Sequence, residues 1–376
     1  MINSINSKER DAYLSFNNFQ KIGPMGLRKL ENYFSDLATA WQAKITDLIK
    51  TGLPLNVIEE FIVWRKSFSL EKSKEELTAK NIKFISIKDN NYPPLLKEIS
   101  AAPPLLYYQG ALHTTTDTKR LAVVGSRQHS AYAEKIITEL LPNIIKQNIE
   151  IVSGLALGVD SLAHQTTLKS QGITLAVLGS GLNNIYPREN LKLAENIINS
   201  GGVIISEFPP DTPPYKTNFP RRNRLISGLT EATLVIEAKR KSGALITATY
   251  ALEQNREVLA VPGSIFSEFS AGPNHLIKEG ARPVSELSDI LQVFNIENQN
   301  DNNKKLTTKK ELPDLNDSSE KIIYQLIKQA TERTEKISAD EINKISKLDT
   351  TIINSKLSIL ELREIIINDG FGYSLK

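Results

Sequence analysis

The sequence predicts an α/β protein built on an extended Rossmann-like, doubly wound, mostly parallel sheet. A small helical domain precedes that sheet, and a winged-helix-like domain follows it. Three observations predict this architecture. Six short runs rich in Val, Ile and Leu end in small residues and alternate with helix-like stretches, the pattern of a parallel sheet covered on both faces. The segment before them carries apolar residues at helical spacing only. The segment after them holds three helical patterns and a hairpin signal, separated from the sheet by a polar stretch without periodicity.

Taken in order, residues 1–75 are expected to form the helical domain. In MGLRKLENYF, Leu27, Leu30 and Phe34 share a face. Gly23 and Gly26 bracket the entrance to that helix, as a tight turn or as a backbone anion site. Residues 76–295 are expected to form the sheet domain. NIKFISI alternates as a half-buried strand does, and Pro93, Pro94, Pro103 and Pro104 argue against regular helix in the transition that follows. The six core runs are then RLAVVGSR, IEIVSG, ITLAVLGSG, GVIISE, ATLVIEA and EVLAVPG. Residues 296–318 read as a flexible linker. In residues 319–376, EKIIYQLIKQA places Ile322, Ile323, Leu326 and Ile327 on one face. Ser338 and Glu341 have capping-box spacing, and two short strands are expected around Asp369 and Gly370.

Composition narrows the chemistry. With 46 Lys and Arg against 43 Asp and Glu, the net charge is only +3, so local clusters must decide about anionic partners. The chain has no cysteine, which excludes disulfides and thiolate chemistry. Its four histidines are scattered, and no metal site is expected. MINSINSKERDAYLSFNN lacks the apolar core of a signal peptide, and no membrane segment is apparent, so a cytoplasmic protein is expected.

The carboxyl ends of the strands are where an open parallel sheet binds ligands. Here they supply Gly125-Ser126-Arg127, Ser153-Gly154, Gly179-Ser180-Gly181, Ser206-Glu207, Glu237-Ala238 and Pro262-Gly263. Arg127, Arg188 and Lys216 lie in Gly- or Pro-bordered loops at this edge. FPRRNRLISG then opens a helix with Arg221, Arg222 and Arg224 around Asn223. Cations crowded at a helix N-terminus are unfavourable unless an anion offsets them, and phosphate fits a Gly- and Arg-lined edge. Glu207 or Glu237 could instead pair with two of these arginines, and for Arg224 both readings stay open. Phe219 reads either as a base-stacking ring or as a loop anchor. Asp160 and His164 read as a cap-region carboxylate and a hydrogen-bonded core imidazole rather than as catalysts. The chain contains neither GxxxxGK[ST] nor GxGxxG, so no cofactor and no catalytic residue are expected.

Seven motifs in order carry a resemblance. They are AVVGSR, SGLALGVDSLAH, AVLGSGLNNIYPREN, SEFPP, FPRRNRLISGL, VIEAKRKSGALITATYALEQNREVLAVPG and GPNHLIKEGA. Together they are similar to the DNA-processing protein A (DprA/Smf) family across the whole central domain. The flanking segments look like that family's accessory domains, of SAM or helix-hairpin-helix type and of winged-helix type.

The resemblance implies a cytoplasmic, non-enzymatic protein that binds single-stranded DNA and loads RecA recombinase onto it in natural transformation. It also implies a homodimer or higher assembly on DNA. By similarity, Arg127, Arg188, Lys216 and the segment Phe219, Arg221, Arg222, Asn223 and Arg224 would line the DNA pocket. Backbone amides near Gly125, Ser126, Ser153 and Gly154 would receive phosphates. Leu157 stands where many members carry Arg, which removes one cation, and REIIIND lacks a glycine expected after the last helix. The competing reading is a Rossmann-like nucleotide phosphoribohydrolase, whose PGGxGTxxE pattern is interrupted here by Arg240, Lys241 and Ser242.

Overall fold

A computed structural model of the chain describes residues 6–115, 117–296, 317–332, 336–363, 365–368 and 372–375. The chain divides into two compact units, Met1–Glu297 and Asn298–Lys376. Most of the expected linker, residues 297–316, lies outside the described residues.

The first unit is organised by a nine-stranded sheet: β1 (Lys83–Ser86), β2 (Leu105–Gly110), β3 (Lys119–Val124), β4 (Ile149–Ser153), β5 (Thr174–Val177), β6 (Val203–Ser206), β7 (Ala232–Val235), β8 (Glu257–Ala260) and β9 (Arg282–Pro283). Their order across the sheet is β1-β2-β6-β5-β4-β3-β7-β8-β9. All pairings from β6 to β9 are parallel, whereas β2 pairs antiparallel with both β6 and β1. From β3 the chain builds outward through β4, β5 and β6, then returns to place β7 on the other side of β3. The strand order therefore reverses between β3 and β7, which is the switch point where open sheets of this kind form a crevice.

Burial explains why the six runs are strands. Successive side chains point to opposite faces, so a strand covered on both sides is apolar at every position. In β3, Ala122 and Val124 pack with Leu225 and Ile226 of the helix Asn218–Gly228. Leu121 and Val123 pack on the other face with Ile137 and Leu141 of the helix Ala131–Ile145. Two strands escape the sequence reading. β2 follows Pro103-Pro104 directly, and β9 has only two residues. The prolines also misled in one place. A short helix, Pro94–Glu98, forms with Pro94 at its first position, where the fixed φ and missing N–H of proline cost nothing.

The N-terminal helices, including Ser7–Asn18, Pro24–Phe34 and Leu55–Ser67, share a core with the β2 side of the sheet. There Tyr107 and Leu105 are buried with Phe16 and Phe61. Asn17 donates to the Glu207 carbonyl (3.2 Å) and Gln20 to Thr212 Oγ1 (2.9 Å), so this module is seated on the loop after β6.

The second unit holds helices Ser318–Glu332, Ala339–Ser346 and Thr350–Leu362, with β10 (Ile366–Asn368) paired antiparallel to β11 (Tyr373–Leu375). Three helices and a small hairpin are the elements of a winged helix. The Ser338–Glu341 capping box is present. Ile323 and Ile327 are buried, but Ile322 is 40% exposed, so it does not join the core face. Asp369 and Gly370 lie outside the described residues. No described helix is long and apolar enough to cross a membrane.

Candidate nucleic-acid interface

The carboxyl ends of β3, β4 and β5 carry the site, and three glycines shape it. Gly158 caps the helix Val159–Lys169 at φ +79, and a Cβ there would lie 2.3 Å from the Ser126 carbonyl oxygen. Only glycine lets this turn press against the Ser126-Arg127 backbone, and the Val159 amide then donates to the Ser126 carbonyl (3.0 Å). At Gly154, a Cβ would meet both the Arg222 guanidinium (2.7 Å) and Asp160 Oδ2 (2.8 Å). At Gly179, a Cβ would meet the Phe219 ring at 2.7 Å. Each missing side chain thus makes room for one component of the edge.

Phe219 stands at the centre. Its ring contacts Tyr186 (5.7 Å between centroids, 52° between planes). The guanidinium carbons of Arg127 and Arg222 lie 5.9 and 6.0 Å from its centroid, within cation–π range. Arg127 is exposed, and Tyr186 is 46% exposed. Arg188, two residues beyond Tyr186, and Lys216, three before Phe219, are also exposed. None of these three cations has a hydrogen bond or ion pair with another described residue. Arg221 is exposed too, lies over the Phe208 ring (5.4 Å) and stands 4.0 Å from Glu207. Gly125 and Ser126 are half-buried beside Arg127, with Ser126 Oγ accepting from the Gln128 amide.

The other expected contacts are turned inward. Arg222 is buried, and its Nη1 donates to the carbonyls of Gly154 (2.6 Å) and Val177. Burial pulls its pKa down to about 10, partly offset by Asp160. Arg224 is buried in a two-pronged pair with Glu207 (3.0 and 2.7 Å), so of the two readings for this residue the geometry gives the structural one. Glu237 does not pair with an arginine; it accepts from the Ser130 amide and hydroxyl. Asn223 is buried and donates to the Gly243 carbonyl (3.1 Å). Ser153 Oγ donates to the Val123 carbonyl (2.7 Å), and the Gly154 amide to Asp160 Oδ2 (3.1 Å). Ser153, Gly154, Arg222, Asn223 and Arg224 therefore frame the site rather than face solvent. Apart from Asp160, the partners named for them, Val123, Gly154, Val177, Glu207 and Gly243, lie far away in sequence, where residue-type reasoning does not reach.

Asp160 and His164 are core groups, as read from the sequence. Asp160 accepts from the Gly154 and Ala156 amides, and burial raises its pKa despite the nearby Arg222. His164 is fully buried, with Nδ1 2.7 Å from Thr174 Oγ1. Burial, then the Arg222 charge, push its pKa down to about 3, so the imidazole is neutral. Tyr186 was not singled out from the sequence. The available signal was an aromatic between a Gly-rich turn and Arg188. Leu157, 43% exposed in the loop after β4, puts an apolar side chain at an edge otherwise lined by cations and rings.

A family model described as DNA recombination-mediator protein A matches residues 83–295. Protein Smf of Escherichia coli is 44% identical over 65% of this chain, a match that spans 65% of its own length, short of two thirds. DNA processing protein DprA of Bacillus subtilis is 39% identical over 67% of this chain and 82% of its own. Among solved structures, DprA of Streptococcus pneumoniae superposes with a TM-score of 0.63 at 33% identity, covering 77% of this chain and 98% of its own. DNA processing protein A of Helicobacter pylori, described with a single-stranded DNA binding mode, gives 0.50 at 27% identity over 57% and 95%. On the family match, which spans more than half of its length, the chain belongs to the DNA recombination-mediator protein A family, the DNA-processing (DprA/Smf) proteins.

Proposed function

We propose that this protein binds single-stranded DNA along the carboxyl edge of its sheet and delivers the strand to a RecA recombinase, protecting it in recombination and natural transformation. The reading includes no catalytic turnover. It rests on one observation: exposed Arg127 lies over the Phe219 ring, which packs on Tyr186, and exposed Arg188 and Lys216 stand within three residues of that ring pair in sequence, all three cations without a hydrogen bond or ion pair to a described residue. Cations that track phosphates beside rings on which bases stack are the general means of holding single strands. Arg127 supplies a planar, two-pronged phosphate contact; Arg188, Lys216 and Arg221 supply further charge, with the amides near Gly125 and Ser126 beside them. The single-stranded DNA binding described for the H. pylori relative supports the same ligand class.

The assignment of DNA binding to residues 76–295 follows, with residues 1–75 as a helical module before it and residues 319–376 as a winged-helix-like domain joined to it by the 296–318 linker. Dimer or higher assembly on DNA, in the cytoplasm, belongs to the same proposal. Titration of fluorescent oligo-dT at several salt concentrations tests it. The three unpaired cations Arg127, Arg188 and Lys216 alone give a slope of log K against log salt near −2, at roughly 0.7 per contact, and duplex DNA competes poorly. Affinity that stays flat as salt rises overturns the reading. Release of free base from AMP overturns its non-enzymatic part.

A further inference from the structure

We propose a second single-strand subsite across the switch point, on the loops after β7 and β8, in which Arg240 and Lys241 take phosphate and Phe266 takes a base. It extends the single-stranded DNA reading above and rests on it.

The crevice at a switch point has two walls. The β3 wall carries Arg127. The β7 wall carries Lys239, Arg240 and Lys241 in succession, all exposed. Lys239 is engaged by Glu268 (2.7 Å) and lies over the Phe269 ring (5.3 Å). Arg240 and Lys241 have no hydrogen bond or ion pair with a described residue, the same condition as Arg127, Arg188 and Lys216. The loop after β8 then turns Ile265 and Phe266 outward, 84% and 93% exposed. A phenylalanine presented this fully to water costs hydrophobic free energy unless something covers it.

The two loops are held, not loose. The Ala238 amide donates to the Phe269 carbonyl (2.7 Å), and Asn274 both donates to and accepts from the Gly263 backbone (2.9 and 3.2 Å). They are also tied to the first site. Asn223, four residues from Phe219, donates to Gly243, and Tyr132 of the helix after β3 donates to the Pro262 carbonyl (2.8 Å). The nearby acids do not oppose a phosphate freely: Glu237 is held by Ser130, and Glu268 by Lys239. Two steps between neighbouring strands separate β3 from β8, a lateral span of about 10 Å. A strand that leaves the Phe219 ring over Arg127 therefore crosses Arg240 and Lys241 before it reaches Phe266. Bare cations next to a bare ring, at the edge already read as a phosphate track, favour nucleic acid over a second protein copy.

The test compares a short oligo-dT (about three nucleotides), enough for one stacking site, with a long one (about twelve), in the range of multi-site single-strand binders. With the long oligonucleotide, the double variant Arg240→Gln/Lys241→Gln loses about 1.4 from the salt slope, two contacts at roughly 0.7 each. Phe266→Ala weakens long-strand binding roughly tenfold, and Phe266→Trp restores it, as stacking requires. The difference between long and short strands disappears in the variants. Long-strand affinity equal to wild type in both overturns this subsite while Arg127→Ala still weakens binding. If Phe266→Ala changes only the sedimentation of the free protein, the ring serves a protein contact and the subsite is likewise overturned. Wild type that binds neither strand overturns the underlying function as well.

Discussion

The carboxyl edge of the sheet and the third helix of the C-terminal unit make an instructive pair. Each sits where its fold class commonly meets nucleic acid. At the sheet edge, Arg127, Arg188 and Lys216 face solvent without a hydrogen bond or ion pair to a described residue. On the helix Thr350–Leu362 the single lysine, Lys356, is spent inside its own unit, on Asp317 (2.5 Å) and the buried Glu320 (3.1 Å). The carboxylate contacts raise the Lys356 pKa, and the lysine lowers that of Asp317. The exposed positions of that helix, among them Thr351, Ile352, Asn354 and Ser355, carry no cation, and the one charge among them, Glu361, is acidic. Fold class alone does not make a DNA-binding surface; the partner state of each cation decides whether a phosphate has anything to meet.

The same contrast runs inside the sheet edge, and it gives the largest expected effect. Arg224 and Glu207 are a buried pair, so Glu207→Ala leaves a buried guanidinium uncompensated. It should cost about 3–5 kcal/mol of stability, read as a fall in the denaturation midpoint of the first unit. A small change would mean that Arg224 is freer than its geometry implies. Arg127→Ala should leave stability untouched and remove a charge-assisted phosphate contact of roughly 1.5–3 kcal/mol, read by oligo-dT anisotropy. Lys356→Ala should do the reverse, lowering the melting temperature of the C-terminal unit while oligo-dT affinity holds. Equal losses of DNA affinity in Arg127→Ala and Lys356→Ala would break the comparison. Gly179→Ala sharpens it without touching any charge. Its methyl displaces the Phe219 ring, and a stacked base worth about 1–3 kcal/mol is lost at unchanged salt slope.

These expectations depend on contacts that were unevenly legible. Strands β3 to β8 could be read directly because a strand buried on both faces writes its burial as an unbroken apolar run. β2 could not, since prolines and two tyrosines hide it, and its antiparallel place beside β6 is a tertiary fact. Arg127 was legible because glycine and serine at a strand end signal close backbone approach. The inward turn of Arg222 and Arg224 was not. Their partners lie 68, 45 and 17 residues away, at Gly154, Val177 and Glu207, and an Arg-rich helix start looks the same whether its charges meet phosphate or carbonyls. Local pattern fixes which residues reach the edge, while long-range packing fixes which of them face out.

His164 turns that packing into a pH effect, read as a slope rather than as a single loss. It lies buried beneath the edge, and desolvation with the Arg222 charge holds its folded pKa near 3, below the ordinary value of 6.5. The unfolded chain therefore binds a proton that the folded chain refuses between those two values. Stability from this group is complete above pH 6.5 and is lost as pH falls through the window, with a slope of at most about 1.4 kcal/mol per pH unit. Asp160 works in the opposite sense, because its raised folded pKa contributes stability that is present while the unfolded carboxyl is still protonated and is lost as pH rises through the folded value. The upper part of the window, nearest pH 6.5, isolates the imidazole best. Urea unfolding at closely spaced pH values should show this slope in wild type, and His164→Asn should flatten it while Arg127→Ala leaves it unchanged. A slope that survives in His164→Asn would mean that another buried group beneath the edge refuses the proton, and that burial with the Arg222 charge does not hold the imidazole neutral.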